Sequence, residues 1–277
     1  MFFYDNHTHT NFSPDSKMTI REAILTATNS NLSGIAFTDH LDLHAPNGDN
    51  RFFFNPHEQQ SEIEKVFGEI GEEKLLSGRK FEVLKGIEVG LQPNCMGEIK
   101  NFTNKYKFDT VVASIHFIDN VDPYFGEYFI GKNYKEAYGR ALEVMYNSIK
   151  EFEDFDILGH FDYVCRYSNY NEDVRNITLK EFGDYLDPIL KYLANNGKTF
   201  EINTKTYMQY KGFTPTLDIN ILKRFKEFGG EAVSLGSDAH NINRIGDNFS
   251  QFAQIIKNCG FNYLVYFKER KPQFYKL

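Results

Sequence analysis

The sequence predicts an α/β fold of parallel β-α-β units closed, or nearly closed, into a barrel, with a metal site at the carboxyl ends of its strands. Three observations predict it. Short apolar runs alternate with segments of helical period along the whole chain. Six of the eight histidines sit just past such a run, usually beside an aspartate. These polar residues end many different strands, whereas a doubly wound sheet would gather its site at one crevice. No linker, repeat or low-complexity segment interrupts residues 1–277, so one domain is expected.

The elements follow in order. Strand-like runs are expected at residues 2–4, 34–37, 81–87, 110–115, 157–159, 199–202, 232–235 and 263–267. Thr19-Ile20-Arg21-Glu22 reads as a capping box opening a helix to about Asn31, with Ile20, Ala23, Ile24 and Ala27 on one face. Residues 56–76 are expected to form a charged amphipathic helix, and Tyr134, Ala137, Tyr138, Ala141, Leu142, Met145 and Ile149 mark a longer one. A helix from Thr178 to Asn196 is expected to break near Pro188 and to stop at Gly197. Ile219, Leu222, Phe225 and Phe228 form the stripe of another. The segments 41–56 and 116–132 are long polar-aromatic connections on the ligand side, suited to cover a substrate. The basic, aromatic segment 268–277 is expected to pack at the barrel's edge.

Composition narrows the function. The net charge of −7 argues against binding long nucleic acid. No apolar run is long enough to span a membrane, and the first residues lack a basic segment leading into an apolar one, so a cytoplasmic protein is expected. Cys95, Cys165 and Cys259 have no paired spacing, which disfavours disulfides and thiolate zinc sites.

The histidine segments are His7-Thr8-His9, Thr38-Asp39-His40, Ser114-Ile115-His116, Gly159-His160-Phe161-Asp162 and Ser237-Asp238-Ala239-His240, with Glu88 closing another run. In an extended segment His-x-His puts both rings on one side, and Asp238-x-His240 repeats that geometry near the far end of the chain. Barrel closure would bring the two pairs together. Such a cluster implies a polynuclear metal site and a metal-dependent hydrolase. A lone histidine is ordinarily a surface or core residue, and His57, opening a helix, is expected to be one. His44 follows His40 closely enough to reach the site mouth and contact substrate. Asp39 and Asp162 are placed to orient ligand imidazoles, although Asp162 reads equally well as a helix cap.

The order His7-x-His9, Asp15, Thr38-Asp39-His40, Gly86-Ile87-Glu88, His116, His160, Asp238-x-His240 resembles the PHP (polymerase and histidinol phosphatase) superfamily across nearly the whole chain. The resemblance implies a distorted (β/α)7 barrel of the PHP type holding three divalent metal ions, for which imidazole and carboxylate ligands suit Zn, Fe or Mn. Carried over by position, His7, His9, Glu88 and Asp238 would bind the first ion. Glu88 would bridge to the second, completed by His116 and His160, while Asp15, His40 and His240 would hold the third. Glu88, Asp15 and His240 would then belong to the catalytic machinery. A hydroxide held between two ions would attack phosphorus in line, with Asp15, His240 or bound water protonating the leaving group.

Segments such as 159–163, 201–204 and 237–246 are most similar to PHP-type histidinol-phosphate phosphatases, which implies hydrolysis of L-histidinol phosphate in histidine biosynthesis. The residues themselves point to a small phosphate monoester. Arg166, Arg244 and Lys205 follow ligand-bearing runs and could hold phosphate oxygens. Asp42, Asp119, Tyr124 and Phe125 lie in loops on the proper side to meet a cationic substrate end. Two other readings stay open within the superfamily: a phosphoesterase acting on nucleotides or nucleic-acid ends, and a catalytically silent metal-binding module. An amidohydrolase-type barrel shares the His-x-His start but commonly bridges its metals with lysine, where this chain offers Glu88.

Overall fold

The computed structural model describes residues 3–46, 48–71 and 81–277. Its strands are β1 (Tyr4–Thr8), β2 (Gly34–Phe37), β3 (His40–Leu41), β4 (Glu82–Gly90), β5 (Thr110–Ser114), β6 (Ile157–Leu158), β7 (Thr199–Asn203) and β8 (Val233–Gly236). They pair in parallel in the order β1-β2-β4-β5-β6-β7-β8. Strand β3 also pairs with β4, continuing the line of β2 beyond Thr38-Asp39, so β2 and β3 act as one broken stave. The last stave returns to the first at the carboxyl end, where Asp238 N–H donates to His7 O (2.8 Å) and His9 N–H to Ala239 O (2.9 Å). A distorted seven-stave barrel results, as expected.

Helices α1 (Ile20–Asn29), α2 (Pro56–Ile70), α3 (Met96–Lys105), α4 (Tyr134–Phe152), α5 (Tyr163–Tyr167), α6 (Leu179–Asn195), α7 (Ile219–Glu227) and α8 (Phe249–Asn258) fill the crossovers. The capping box forms, with Glu22 N–H donating to Thr19 Oγ1 and Thr19 N–H to Glu22 Oε2, and Ile20, Ala23, Ile24 and Ala27 are buried behind it. Of the helix expected over 56–76, residues 72–76 lie outside the described residues. Helix α6 runs through Pro188, and its irregular residue is Phe182 (φ −120°, ψ 17°) instead. The stripe of α7 is Ile221, Leu222 and Phe225, while Ile219 at its first position is exposed.

Strand β1 begins and ends later than its apolar run suggested. Its residues Asp5, Asn6 and His7 are polar yet buried, which hydropathy alone rejects. Each has partners, as a buried polar group must. Asn6 Nδ2 donates to Leu235 O (3.1 Å), and the Asp5 carboxylate accepts from the backbone N–H of Ser237 (2.9 Å) and Gly246 (2.9 Å). Burial pushes the Asp5 carboxyl up to about 6, and those N–H donors oppose the rise.

The tail does more than pack at an edge. Strands β9 (Tyr263–Lys268) and β10 (Lys271–Lys276) form an antiparallel hairpin across the amino-terminal end of the barrel. Val265 and Phe267 pack with Val112, Ile157 and Ala232 to plug it. Tyr266 stacks on Tyr4 with ring centroids 3.7 Å apart, and Arg270 Nε donates to Asp156 Oδ2 at 2.5 Å. With the floor closed, the opposite mouth is left for chemistry. No helix among the described residues is long and apolar enough to cross a membrane.

Candidate metal centre

Glu88, near the end of β4, is fully buried at the middle of that mouth. Its Oε1 lies 3.2 Å from His7 Nε2, 3.2 Å from His116 Nε2 and 2.8 Å from His160 Nε2, and it accepts from Ser114 Oγ at 2.6 Å. Its Oε2 lies 3.4 Å from His9 Nε2 and 2.9 Å from His40 Nδ1. Asp238 Oδ1 is 3.4 Å from His9 Nε2, and Asp15 Oδ2 is 3.0 Å from His240 Nε2 and 3.6 Å from His40 Nε2. All nine expected ligand positions therefore meet in one cluster.

The backbone reaches this arrangement by close approaches. Gly90 and Gly236 face inward, and a Cβ on either would overlap a carboxylate, Asp42 at the first and Glu201 at the second. Asp238 takes a left-handed φ of 49°, a conformation that a non-glycine residue holds only when its surroundings fix it. Here its N–H is tied to His7 O.

Charge is shared unequally across the cluster. Burial opposes ionisation of Glu88, but His7, His116 and His40 outweigh it and hold the carboxyl well below its usual range. Burial likewise works against protonating His7 and His116, yet Glu88 with Glu201, and Asp42 with Glu88, push these imidazoles well up. His9 and His160 go the other way, because burial dominates.

The donor set fits divalent cations. His7 Nε2, His9 Nε2 and Glu88 Oε2 are buried without a hydrogen-bond partner although they face one another. Such orphaned lone pairs are costly unless a cation sits among them. His7, His9 and Glu88 can gather on one ion, Glu88, His116 and His160 on a second, and His9, His40 and His240 around a third. No thiolate takes part, since Cys95, Cys165 and Cys259 are buried elsewhere and unpaired.

A cavity of about 390 Å³ opens over the cluster. Both long loops line it, the first through Ala45, Asp49, Arg51 and Phe52, the second through Phe117, Asp122, Tyr124 and Phe125. Arg166 is buried in its wall, with Nη2 3.0 Å from Thr206 Oγ1 and Nη1 3.4 Å from Asp238 Oδ2, and Lys205 Nζ is 3.0 Å from Asp238 Oδ1. Both cations are thus placed as the sequence suggested.

Several other residues are not. His44 has a left-handed backbone (φ 53°) that turns its exposed ring to Glu98, 2.9 Å away, and it does not line the cavity. Arg244 folds back onto Asp247 and also stays out of the wall. Asp119 is an exposed partner of Arg140, and Asp122, three residues on, takes the wall position instead. Asp42 does line the cavity, but its Oδ1 is engaged with His116 Nδ1 at 2.8 Å. Asp39 touches no imidazole. It accepts from Thr10 N, Thr10 Oγ1, Ser13 Oγ and Gln59 Nε2, and so fixes the loop after β1. Asp162 accepts from Tyr207 and makes no side-chain cap bond.

Glu201 was not foreseen. Buried in β7, it accepts from His7 Nδ1 (2.8 Å) and from the backbone N–H of His160 (2.8 Å). Its signal was available: Glu201 and Asn203 alternate with Phe200 and Ile202, so two polar residues share one strand face.

Comparison with known proteins agrees with this geometry. The family model for the PHP domain matches residues 5–205. The chain belongs to the PHP domain family. A protein of Clostridium acetobutylicum named probable histidinol-phosphatase is 34% identical over 267 residues, covering 96% of this chain and 97% of that one. The histidinol-phosphatase of Lactococcus lactis is 32% identical over 268 residues, covering 96% and 95%. Among solved structures, histidinol phosphate phosphatase from Lactococcus lactis, in complex with zinc, L-histidinol and phosphate, superposes with a TM-score of 0.86. It shares 31% identity, with 98% of each chain covered. A solved structure from Listeria monocytogenes, 17% identical with a TM-score of 0.72 over 90% of this chain, shares the fold.

Proposed function

We propose that the chain is a metal-dependent phosphomonoesterase that hydrolyses L-histidinol phosphate to L-histidinol and phosphate, acting as a single cytoplasmic domain in histidine biosynthesis. The observation that carries this reading is the convergence of His7, His9, Asp15, His40, Glu88, His116, His160, Asp238 and His240 at the mouth of one cavity. Full-length similarity to the Lactococcus lactis enzyme, solved with zinc, L-histidinol and phosphate, supports the same substrate.

Three divalent ions would be held by the groups predicted, with Glu88 shared between two of them. Bound there, they supply Lewis-acid stabilisation of phosphate oxygens and lower the pKa of water toward neutrality. The chain's own residues do the rest. Arg166 and Lys205 flank Asp238 and offer N–H donors to the non-bridging oxygens of a phosphate seated over the cluster. Asp15, half exposed at the mouth, is hydrogen-bonded to His240 and is the ligand most open to an incoming ester.

On the far side, Asp122 stands among Tyr124, Phe125 and Tyr163. Burial pushes its carboxyl up, although Tyr124 N–H donates to it at 2.8 Å. An arriving ammonium or imidazolium would restore what burial removes and would meet aromatic faces beside it. The test is phosphate release from L-histidinol phosphate against a panel of nucleotides and sugar phosphates, with metal content read on the same sample. A strong preference for histidinol phosphate is expected. Even turnover of nucleotides would move the chain to the nucleotide-directed branch, and no turnover in a metal-loaded sample would sink the phosphatase reading.

A further inference from the structure

The residues behind the ligands are as unequal as the ligands themselves. His7 Nδ1–H donates to Glu201 at 2.8 Å, and His116 Nδ1–H to Asp42 at 2.8 Å. A carboxylate at Nδ1 fixes the tautomer, leaves the Nε2 lone pair free, and strengthens it as a donor. These two rings serve different ions in the three-ion reading, one each for the pair that Glu88 bridges. Both rings are shut away, with side-chain exposures of 0% for His7 and Glu88 and 8% for His116.

Asp15 and His240 are built differently, whereas the more buried His40 turns its Nδ1 to Glu88 Oε2 at 2.9 Å and Asp42 Oδ2 at 3.6 Å. Asp15 is 42% exposed and His240 15%. No separate carboxylate backs His240 as Glu201 backs His7: its Nδ1 is 3.0 Å from the backbone carbonyl of Asp238, 3.4 Å from Oδ1 of that same residue, which the three-ion reading gives to the first ion, and 3.1 Å from Lys205 Nζ. A fixed ammonium that close opposes a cation on the same ring, whereas the Nδ1 partners of His7 and His116 are carboxylates.

We propose that Glu201 and Asp42 are positioning residues that make the two deep ion places tight, and that the place formed by Asp15, His40 and His240 is the exchangeable one. The inference rests on the three-ion reading above. It assigns the mouth ion the role of last in and first out, alongside the cavity through which substrate enters.

The test is release of zinc from the loaded full-length protein into excess chelator, followed in time, with total zinc counted by mass spectrometry. One equivalent is expected to leave at least roughly tenfold faster than the other two. Asp15→Asn should remove that fast equivalent and leave the slow phases unchanged. Glu201→Gln should accelerate one slow equivalent roughly 10–100-fold and leave the fast one alone, and Asp42→Asn should accelerate the other slow equivalent as much, disturbing the fast one too because Asp42 Oδ2 also lies 3.6 Å from His40 Nδ1. A role confined to fold stability would speed all phases together. Should Glu201→Gln not fold, Asp42→Asn makes the same claim on its own. Three equivalents leaving in one phase, or acceleration of only the fast phase by these variants, overturns the ordering while the three-ion reading stands. Saturation of the parent protein below three equivalents overturns both.

Discussion

Glu88 carries more of the site than any other residue, because five imidazoles converge on its two oxygens. Glu88→Gln keeps its shape but halves its ability to accept and removes its charge. Phosphatase activity should fall roughly a thousandfold, about 4 kcal/mol of the several that metal clamping supplies, with zinc content falling in parallel. Retention of both would disprove the bridging role. Asp122 belongs to the substrate side, so Asp122→Asn should act on KM. A charged hydrogen bond contributes about 1.5–3 kcal/mol, which predicts a KM for L-histidinol phosphate raised roughly 10–150-fold. An aryl phosphate without a cationic end should be hydrolysed as before; an equal loss on both substrates would refute the assignment. The clustering of the expected ligand positions was legible in the sequence, because packing alone gives no reason for histidines at successive strand ends, and the structure brings them together. The residues lining the cavity were less so. His44 and Asp119 were placed by their offset from a ligand, and offset along a loop says nothing about direction: left-handed φ values of 53° and 50° at these two positions turn the chain.

At the scale of elements, periodicity located most of the helices and staves and also β9, whereas β10 and its pairing with β9 into a hairpin were invisible. Its two turn residues, Glu269 (φ 50°) and Arg270 (φ 61°), are left-handed, yet neither is the Asn or Gly that signals such a turn. Tertiary bonds hold the turn instead, since Glu269 N–H donates to Asp109 Oδ1 (2.9 Å) and Arg270 pairs with Asp156. Glu269→Asn keeps those bonds and should relieve strain, stabilising the protein by about 0.5–1 kcal/mol in urea unfolding. A loss of stability would show that the Glu269 side chain itself supports the turn. The hairpin is also anchored by Glu82, which accepts from Tyr4 (3.1 Å), Tyr266 (2.8 Å) and Lys268 (2.6 Å). Burial raises this carboxyl, but Lys268, Tyr266 and Tyr4 prevail and bring it down to about 2. Because the folded value is the lower one, the anchor contributes fully above the ordinary value of 4.5 and is lost as pH falls through about 2. The stability gap between the parent protein and Glu82→Gln should therefore be constant near neutral pH and should narrow between about 4.5 and 2. A gap indifferent to pH would exclude the charge as its source.

For the whole molecule, the sequence conveyed a barrel with its site at one mouth, and the structure adds how the two ends depend on each other. The hairpin closes the floor with side chains, whereas the mouth is held by backbone bonds between β1 and the loop after β8 and by a cluster of ionisable groups. Glu88 and Asp238 are buried carboxylates surrounded by imidazoles, and an arrangement of this kind is stable only when positive charge fills it. Protons can do so in part, which is why His7 and His116 are pushed up. Divalent ions bound as proposed would do it better, and would join residues from staves far apart in sequence. Metal should therefore be a stabiliser of the fold as well as an agent of chemistry. Free zinc at a thousand times its dissociation constant contributes about 4 kcal/mol through one site, and a domain of this size shifts by roughly 2–4 °C per kcal/mol. Stripping the ions with chelator should thus lower the unfolding midpoint by about 8–16 °C, and re-addition of zinc should restore it. The same treatment of a Glu88→Gln, Asp238→Asn double variant should lower the midpoint by clearly less, because the two ions that Glu88 and Asp238 would hold no longer bind and only the place formed by Asp15, His40 and His240 is left. A midpoint indifferent to chelation in the parent protein would mean that the mouth is held by its backbone bonds alone, and that the ligands are preorganised without the charge they are built to receive.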